Sequence, residues 1–292
     1  MYDIARNTGA YLIEQLGVDR TPVAVFAGRK MVTPAYFLGV VYAGRPYAPI
    51  DASLPDKRIE KILENLCPRA IVADRESLEH VESIVDELAK AEGFDRPQIF
   101  IAEDISCFEQ VACADSNCKI SESAGDHVTD SENDTDGGVV AGCAGKTDDS
   151  SLEKLATVRR QMSMTDPLYI IYTSGSTGNP KGVMTSHLSL MTYINAYCDV
   201  MHIEESDVLG NQSPLDYIAA IRDIYLPLKT GCSTAIIPKE YFMETNALFD
   251  YMNEKKVSSV GWSVSAFTIL TSLGAFEEVG LKSLRKSASQ AQ

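Results

Sequence analysis

Short runs of apolar, often β-branched residues recur at 22–26, 69–73, 98–101, 168–172, 233–237 and 257–261, and segments long enough to form helices separate most of them. Four or five residues are too few for a buried helix, so each run reads as a strand. Strands alternating with helices pair in parallel, because the crossover helix returns the chain to the same edge and covers a sheet face. The pattern therefore implies an α/β chain of parallel-sheet layers with flanking helices. Two of the intervening segments show helical periodicity. Ile59, Ile62, Leu63 and Leu66 share one face of 57–66, with Asp56 placed to cap its start, and Leu78, Val81, Val85 and Leu88 share one face of 76–90.

Between positions 103 and 149 the alternation stops. Twelve acidic residues stand there against two lysines, which is ten of the fifteen excess negative charges of the chain. Low hydrophobicity, many Ser, Asp and Gly, and self-repelling charge leave 106–151 too little apolar surface to offset its chain entropy. It reads as an acidic, disordered insertion. A metal or partner site built from Cys113, Cys118, His127 and Cys143 is the sharper alternative, and the glycine and aspartate content argues against such a fixed cage. The seven cysteines form no CxxC pair and have no histidine at zinc-ligand spacing, so they read as free thiols and no metal site is expected. There is no apolar stretch long enough to span a membrane and no signal sequence at the N-terminus, which makes a cytoplasmic location the expectation. The acidic balance and the lack of a basic stripe disfavour a nucleic-acid binder.

The residues after the 168–172 run carry the chemistry. Thr173, Ser174, Gly175, Ser176, Thr177, Gly178, Asn179, Pro180, Lys181 and Gly182 form a hydroxyl- and glycine-rich segment directly behind a buried strand. Gly175, Gly178 and Gly182 permit backbone angles closed to other residues, the hydroxyls add donors, and Lys181 supplies a mobile cation. Such a segment can wrap N–H groups around phosphate oxygens, and the carboxyl end of a parallel strand is where α/β folds place ligands. Neither G-x-x-x-x-G-K-[ST] nor G-x-G-x-x-G is present, so it is a third kind of phosphate loop. The bland alternative is a Ser/Gly turn joining a strand to a helix. Ser186 is a possible helix cap, and His187 beside it reads as part of that cap rather than as a catalytic group.

The run from Tyr172 to Met184 closely resembles the AMP-binding signature of the adenylate-forming enzymes, the family of acyl-CoA synthetases, luciferases and peptide-synthetase adenylation domains. Upstream, Leu38-Gly39-Val40-Val41-Tyr42-Ala43-Gly44-Arg45-Pro46-Tyr47-Ala48-Pro49-Ile50-Asp51 is similar to a segment of amino-acid-adenylating domains, the branch found in nonribosomal peptide synthetases. The resemblance implies an AMP-binding domain in two parts, 1–105 and 152–284, interrupted by the insertion at 106–151 and followed by a polar tail at 285–292. It also implies a reaction: Mg2+-ATP and a small carboxylic or amino acid give an acyl-adenylate and pyrophosphate, and a thiol of a phosphopantetheine carrier protein or of coenzyme A then takes the acyl group. Thr173, Ser174, Gly175, Ser176, Thr177, Gly178 and Lys181 would contact the phosphates.

Two departures from the family pattern follow. Amino-acid-adenylating domains place an aspartate where it accepts the substrate's ammonium group; aligned on Asp223, that position here is Ile218. Either Asp216 takes the role through a shifted register or the substrate has no α-amino group, and the alignment slightly favours the second. Trp262 reads equally as a wall of the acyl pocket and as a core aromatic. The second departure is at the end of the chain. The adenine-binding motif, the ribose-binding aspartate and the small domain with a catalytic lysine do not follow Leu284, and 285–292 suits neither strand nor helix. The expectation is a truncated ligase with little adenylation of its own, or else a non-catalytic remnant or interaction module that keeps only phosphate-loop binding.

Overall fold

The computed structural model describes residues 1–106, 149–174, 179–272 and 280–290. Strands β1 (Val23–Phe26), β2 (Tyr47–Pro49), β3 (Ala70–Ala73), β4 (Gln98–Ile101), β5 (Pro167–Ser174) and β6 (Pro180–Ser186) form one sheet in the order β4-β3-β1-β2-β5-β6. A second sheet, in the order β10-β9-β7-β8, consists of β7 (Val208–Asn211), β8 (Ser233–Ile236), β9 (Ser259–Ser263) and β10 (Lys286–Gln290). Neighbouring strands are parallel throughout except β5 and β6, which form an antiparallel hairpin. The helices are α1 (Tyr2–Leu16), α2 (Thr33–Tyr42), α3 (Asp56–Leu66), α4 (Leu78–Leu88), α5 (Ala102–Ser106), α6 (Asp149–Gln161), α7 (His187–Met201), α8 (Ile218–Thr230), α9 (Thr245–Glu254) and α10 (Val264–Ser272).

Helices cover both faces of the first sheet, and β1 shows why its sequence is apolar throughout. Val23 and Val25 point into a core shared with α1 and α2, while Ala24 and Phe26 point into a second core made with α3 and α4. A strand buried on both sides has no polar face to alternate. The periodicity of α3 is realised as expected, with Ile59, Ile62, Leu63 and Leu66 buried. In α4 the buried set is Val81, Ile84, Val85 and Leu88. Asp56 does not cap α3. Pro55 occupies the cap position, and the Asp56 carboxylate, in the first turn, meets His80 Nε2 at 2.9 Å instead.

Strands β2, β6, β7 and β10 lay outside the sequence expectation. Three residues ending in proline make a weak strand signal for β2. The polar β10 is the sharper correction, since 285–292 was expected to be neither strand nor helix. Backbone pairing does not depend on side-chain hydrophobicity: Lys286 to Gln290 run parallel to Ser259 to Ser263, and the amides of Arg285 and Lys286 both donate to Ser258 O, at 2.9 and 3.0 Å. Asp207 anchors the start of the strand, accepting from Arg285 Nη2 at 3.0 Å and from Lys286 Nζ at 2.6 Å.

Of the expected insertion, residues 107–148, with Cys107, Cys113, Cys118, His127 and Cys143, lie outside the described residues. Asp149 to Ser151 begin α6. Cys67, Cys198 and Cys232 are free thiols.

Helix α8 joins the two sheets. Its Ile221 and Ile224 lie in the same buried cluster as Phe37 and Tyr47, and Tyr225 Oη donates to Tyr47 Oη at 3.3 Å. A separate cluster in the second sheet centres on Trp262, Phe249 and Met252.

Candidate functional site

The hydroxyl- and glycine-rich segment starts at the end of β5 and runs into β6, which pair antiparallel, so it joins two strands rather than a strand to a helix. β5 is buried from Leu168 to Ile171 and emerges into solvent at Thr173 and Ser174. In the antiparallel register Thr173 stands opposite Lys181 and Ser174 opposite Pro180, which places Thr173 and Lys181 on one face of the ladder. Both are exposed, and Thr173 Oγ1 donates to Lys181 O at 3.5 Å. Gly175, Ser176, Thr177 and Gly178 lie outside the described residues.

Helix α3 fixes the hairpin. Tyr172 Oη donates to Asn65 Oδ1 at 2.8 Å, and Lys61 Nζ donates to Asn179 Oδ1 at 3.0 Å. Burial raises the Tyr172 phenol to about 12, so it remains a donor across the physiological range. Gly182 has a different role from the one its composition suggested. It is a strand residue opposite Tyr172, and a side chain there would come within 2.9 Å of Ile170 Cγ2 and 3.1 Å of the Tyr172 ring. Its reason is packing space under an aromatic ring.

Beyond β6 the expected cap is present: Ser186 Oγ accepts from the Ser189 amide at 3.2 Å. His187 opens α7 with its Nε2 buried and unpaired, and burial lowers its pKa.

The carboxyl ends of β1, β2, β3, β7 and β8 converge on a cleft of about 710 Å3. In open α/β sheets this is the end at which ligands bind. β2 is also the strand that pairs with β5, so the hairpin emerges from the same edge. Asp216 lines the cleft just ahead of α8. Burial raises its carboxyl pKa, and the neighbouring Asp51 adds to that shift. Ile218, by contrast, is the first residue of α8 and is 47% exposed. Trp262 belongs to the core of the second sheet. It is 2% exposed, donates from Nε1 to Gly210 O at 2.9 Å, and packs edge-on against Phe242.

Several cleft groups went unnoticed in the sequence. Arg29, after β1, donates from Nη2 to Asn211 O at 2.7 Å and to Asn211 Oδ1 at 2.8 Å. Asn211 Nδ2 in turn donates to Asp223 at 3.0 Å, and Asp223 pairs with the buried Arg222 at 2.8 Å. Arg222 Nη2 also donates to Gly261 O at 2.7 Å. A polar chain thus runs from the first sheet through α8 to β9. Asp74, after β3, lines the cleft and accepts from the Gly28 amide at 2.9 Å and from Lys30 Nζ at 3.0 Å. The signal that could have identified these residues is position alone, since Arg29, Asp51 and Asp74 all follow closely on the carboxyl ends of strands.

Among the described residues no group of three or more His, Cys, Asp or Glu side chains is arranged to hold a metal ion, and no helix is long and apolar enough to cross a membrane.

Two mainly parallel sheets flanked by helices, with a hydroxyl-bearing hairpin at the edge of the first, define an α/β class of protein. The more specific assignment comes from similarity: residues 1–291 match the AMP-binding enzyme family, and the chain belongs to it. The D-alanine–D-alanyl carrier protein ligase of Bacillus velezensis is 26% identical over 240 residues, which are 82% of this chain and 37% of the ligase. Bacitracin synthase 1 of Bacillus licheniformis is 25% identical over 268 residues, 91% of this chain and 4% of the synthase. The chain therefore spans little more than a third of the ligase it matches. Among solved structures, the holo form of the four-domain nonribosomal peptide synthetase AB3403, bound to AMP and glycine, aligns with a TM-score of 0.67 at 19% identity, over 99% of this chain and 17% of that one. ATP-bound MatB from Rhodopseudomonas palustris aligns with a TM-score of 0.67 at 17% identity, over 98% and 48%. These two share the fold of adenylate-forming enzymes.

Proposed function

We propose that this chain supplies the phosphate-holding and acid-selecting part of an ATP-dependent carboxylate activation that yields an acyl-adenylate. The observation that carries the reading is the hairpin: a buried strand delivers Thr173, Ser174 and Lys181 to the edge of the sheet on which the cleft opens. A carboxylate and a polyphosphate repel each other, so the reaction needs them held in line and their charge neutralised. Thr173, Ser174 and Lys181, with Gly175, Ser176, Thr177 and Gly178 between them, are assigned to the phosphates of ATP. Mg2+ arriving with the nucleotide supplies further neutralising charge.

Asp216 is assigned to the acid. Its place in the cleft beside Asp51, with Ile218 turned to solvent, supports the shifted register, in which Asp216 receives an ammonium group. Two neighbouring carboxylates favour a cation and disfavour a bare carboxylate. The reading therefore favours an amino acid over an acid without an amino group. The acceptor we assign is the thiol of a carrier-protein arm, in keeping with the relatives' names, ahead of coenzyme A.

The test is calorimetric titration of Mg-ATP into the folded chain, repeated with Lys181→Ala. Removing a cation that contacts phosphate is expected to weaken saturable binding by roughly tenfold or more. Binding that is absent, or that Lys181→Ala leaves unchanged, would sink the assignment. Weak or absent ATP–pyrophosphate exchange by the 292-residue chain assayed alone accords with this proposal, which concerns binding rather than the whole reaction.

A further inference from the structure

Two side chains of α3, one turn apart, hold the β5–β6 hairpin from both of its arms. Asn65 accepts from Tyr172 of β5, and Lys61 donates to Asn179, the residue just ahead of β6. Lys61 and Asn179 are both exposed. Along the ladder Tyr172 pairs with Gly182, and Thr173 with Lys181. Because successive pairs point to opposite faces, Tyr172 is directed to α3 and Lys181 to the far side. Lys61 and Lys181 therefore approach the place where β5 ends and β6 begins from opposite faces. Glu60 and Glu64 are the carboxylate neighbours of Lys61 on α3, yet its Nζ lies 3.0 Å from the amide oxygen of Asn179. An ammonium has three N–H donors, so this bond aims the group at the hairpin and leaves donors for a further acceptor.

We propose that Lys61 is a second phosphate-binding cation, contacting a polyphosphate from the α3 side while Lys181 contacts it from the other. The proposal deepens the phosphate assignment of the hairpin and rests on it. A triphosphate carries more negative charge than one Mg2+ and one lysine offset, so a further cation at this place has work left to do. A hydrogen bond from an ammonium to a phosphate oxygen is stronger than one to a neutral amide, so the free donors of Lys61 favour the anion while Asn179 keeps the side chain aimed. The ligand class is an inorganic or nucleoside polyphosphate, because a lysine ammonium reads charge and neither base nor sugar.

The experiment is calorimetric titration of Mg-ATP, and separately of magnesium tripolyphosphate, into the folded chain at low and at moderate salt. Lys61→Gln, which keeps a donor for Asn179 but removes the charge, should weaken both ligands roughly fivefold or more and flatten their salt dependence. Lys61→Arg, which restores the charge, should recover most of the affinity. Asn179→Ala separates a hairpin that is merely held from a phosphate that is bound: it should weaken binding less than Lys61→Gln and leave the salt dependence as in the parent. Affinity unchanged in Lys61→Gln overturns the proposal, as does a loss that Asn179→Ala matches with no change in salt dependence. Lys61 and Asn179 are exposed, so the variants are expected to fold, and their melting temperatures are read alongside. If the phosphate assignment itself fails, Lys181→Ala is without effect or nothing binds, and both readings fall. If only Lys61 is wrongly assigned, the loss caused by Lys181→Ala remains.

Discussion

At the scale of single residues, Asp207 is a heavily committed side chain. It is inaccessible to solvent and receives Arg285, Lys286, the Ser258 hydroxyl at 2.7 Å and the Glu204 amide at 2.9 Å. These partners outweigh its burial and hold the carboxyl at about 2, below its ordinary 3.8. The depressed pKa means that its contribution is fully present above about pH 4 and is lost as pH falls towards 2. Asp207→Asn is expected to cost about 2 kcal/mol at neutral pH and to flatten the acid limb of the stability profile. Urea denaturation at pH 7, 4 and 2.5 would check both, and an unchanged pH dependence would show that the clasp on β10 contributes nothing. None of this was legible in the sequence, where Asp207 is one acidic residue among forty-one Asp and Glu. Its side-chain partners lie about 50 and 80 positions away. Lys181, by contrast, stands out as a candidate in the sequence, because it follows directly on a hydroxyl- and glycine-rich segment.

Elements were legible in proportion to how much of their pattern is their own. The two-sided burial of β1 and the amphipathic stripe of α3 follow from composition and spacing. Strand β10 and the β6 arm of the hairpin are strands because a neighbour offers an edge, and their own residues carry little of that information. The contact of α1 with α2 lies between these cases. Gly9 and Gly39 let the helices touch, and a Cβ on Gly39 would stand 2.5 Å from Thr8 Cβ and 3.1 Å from Ala5 O. Gly39→Ala should therefore destabilise by about 1–3 kcal/mol despite the better helix propensity of alanine. A melting temperature at or above that of the parent would refute so close an approach.

For the whole molecule, what matters is how the sheets are joined. Arg29 reaches from the end of β1 to Asn211 at the end of β7, and through Asn211 and Asp223 to Arg222. Arg29→Met keeps the apolar stem and removes the donors, leaving Asn211 without these bonds. A loss of about 1–3 kcal/mol is expected, together with faster amide exchange in β7 and β8 than in β1 and β3. Exchange raised uniformly across both sheets would mean that the bridge is not what couples them. Arg29 itself lines the cleft, so the variant should also weaken amino-acid binding more than Mg-ATP binding.

The sequence by itself determined the α/β class, the buried strands, and the faces of α3 and most of α4, because each is written in residues close together along the chain. Only the tertiary structure decided that β5 and β6 pair antiparallel and that Asp216 rather than Ile218 faces the cleft. It also decided that Trp262 is core and that a polar stretch pairs as β10. Each of those depends on which surfaces α8 and the two sheets bring together, and contact between distant segments leaves no periodicity or motif to read along the chain.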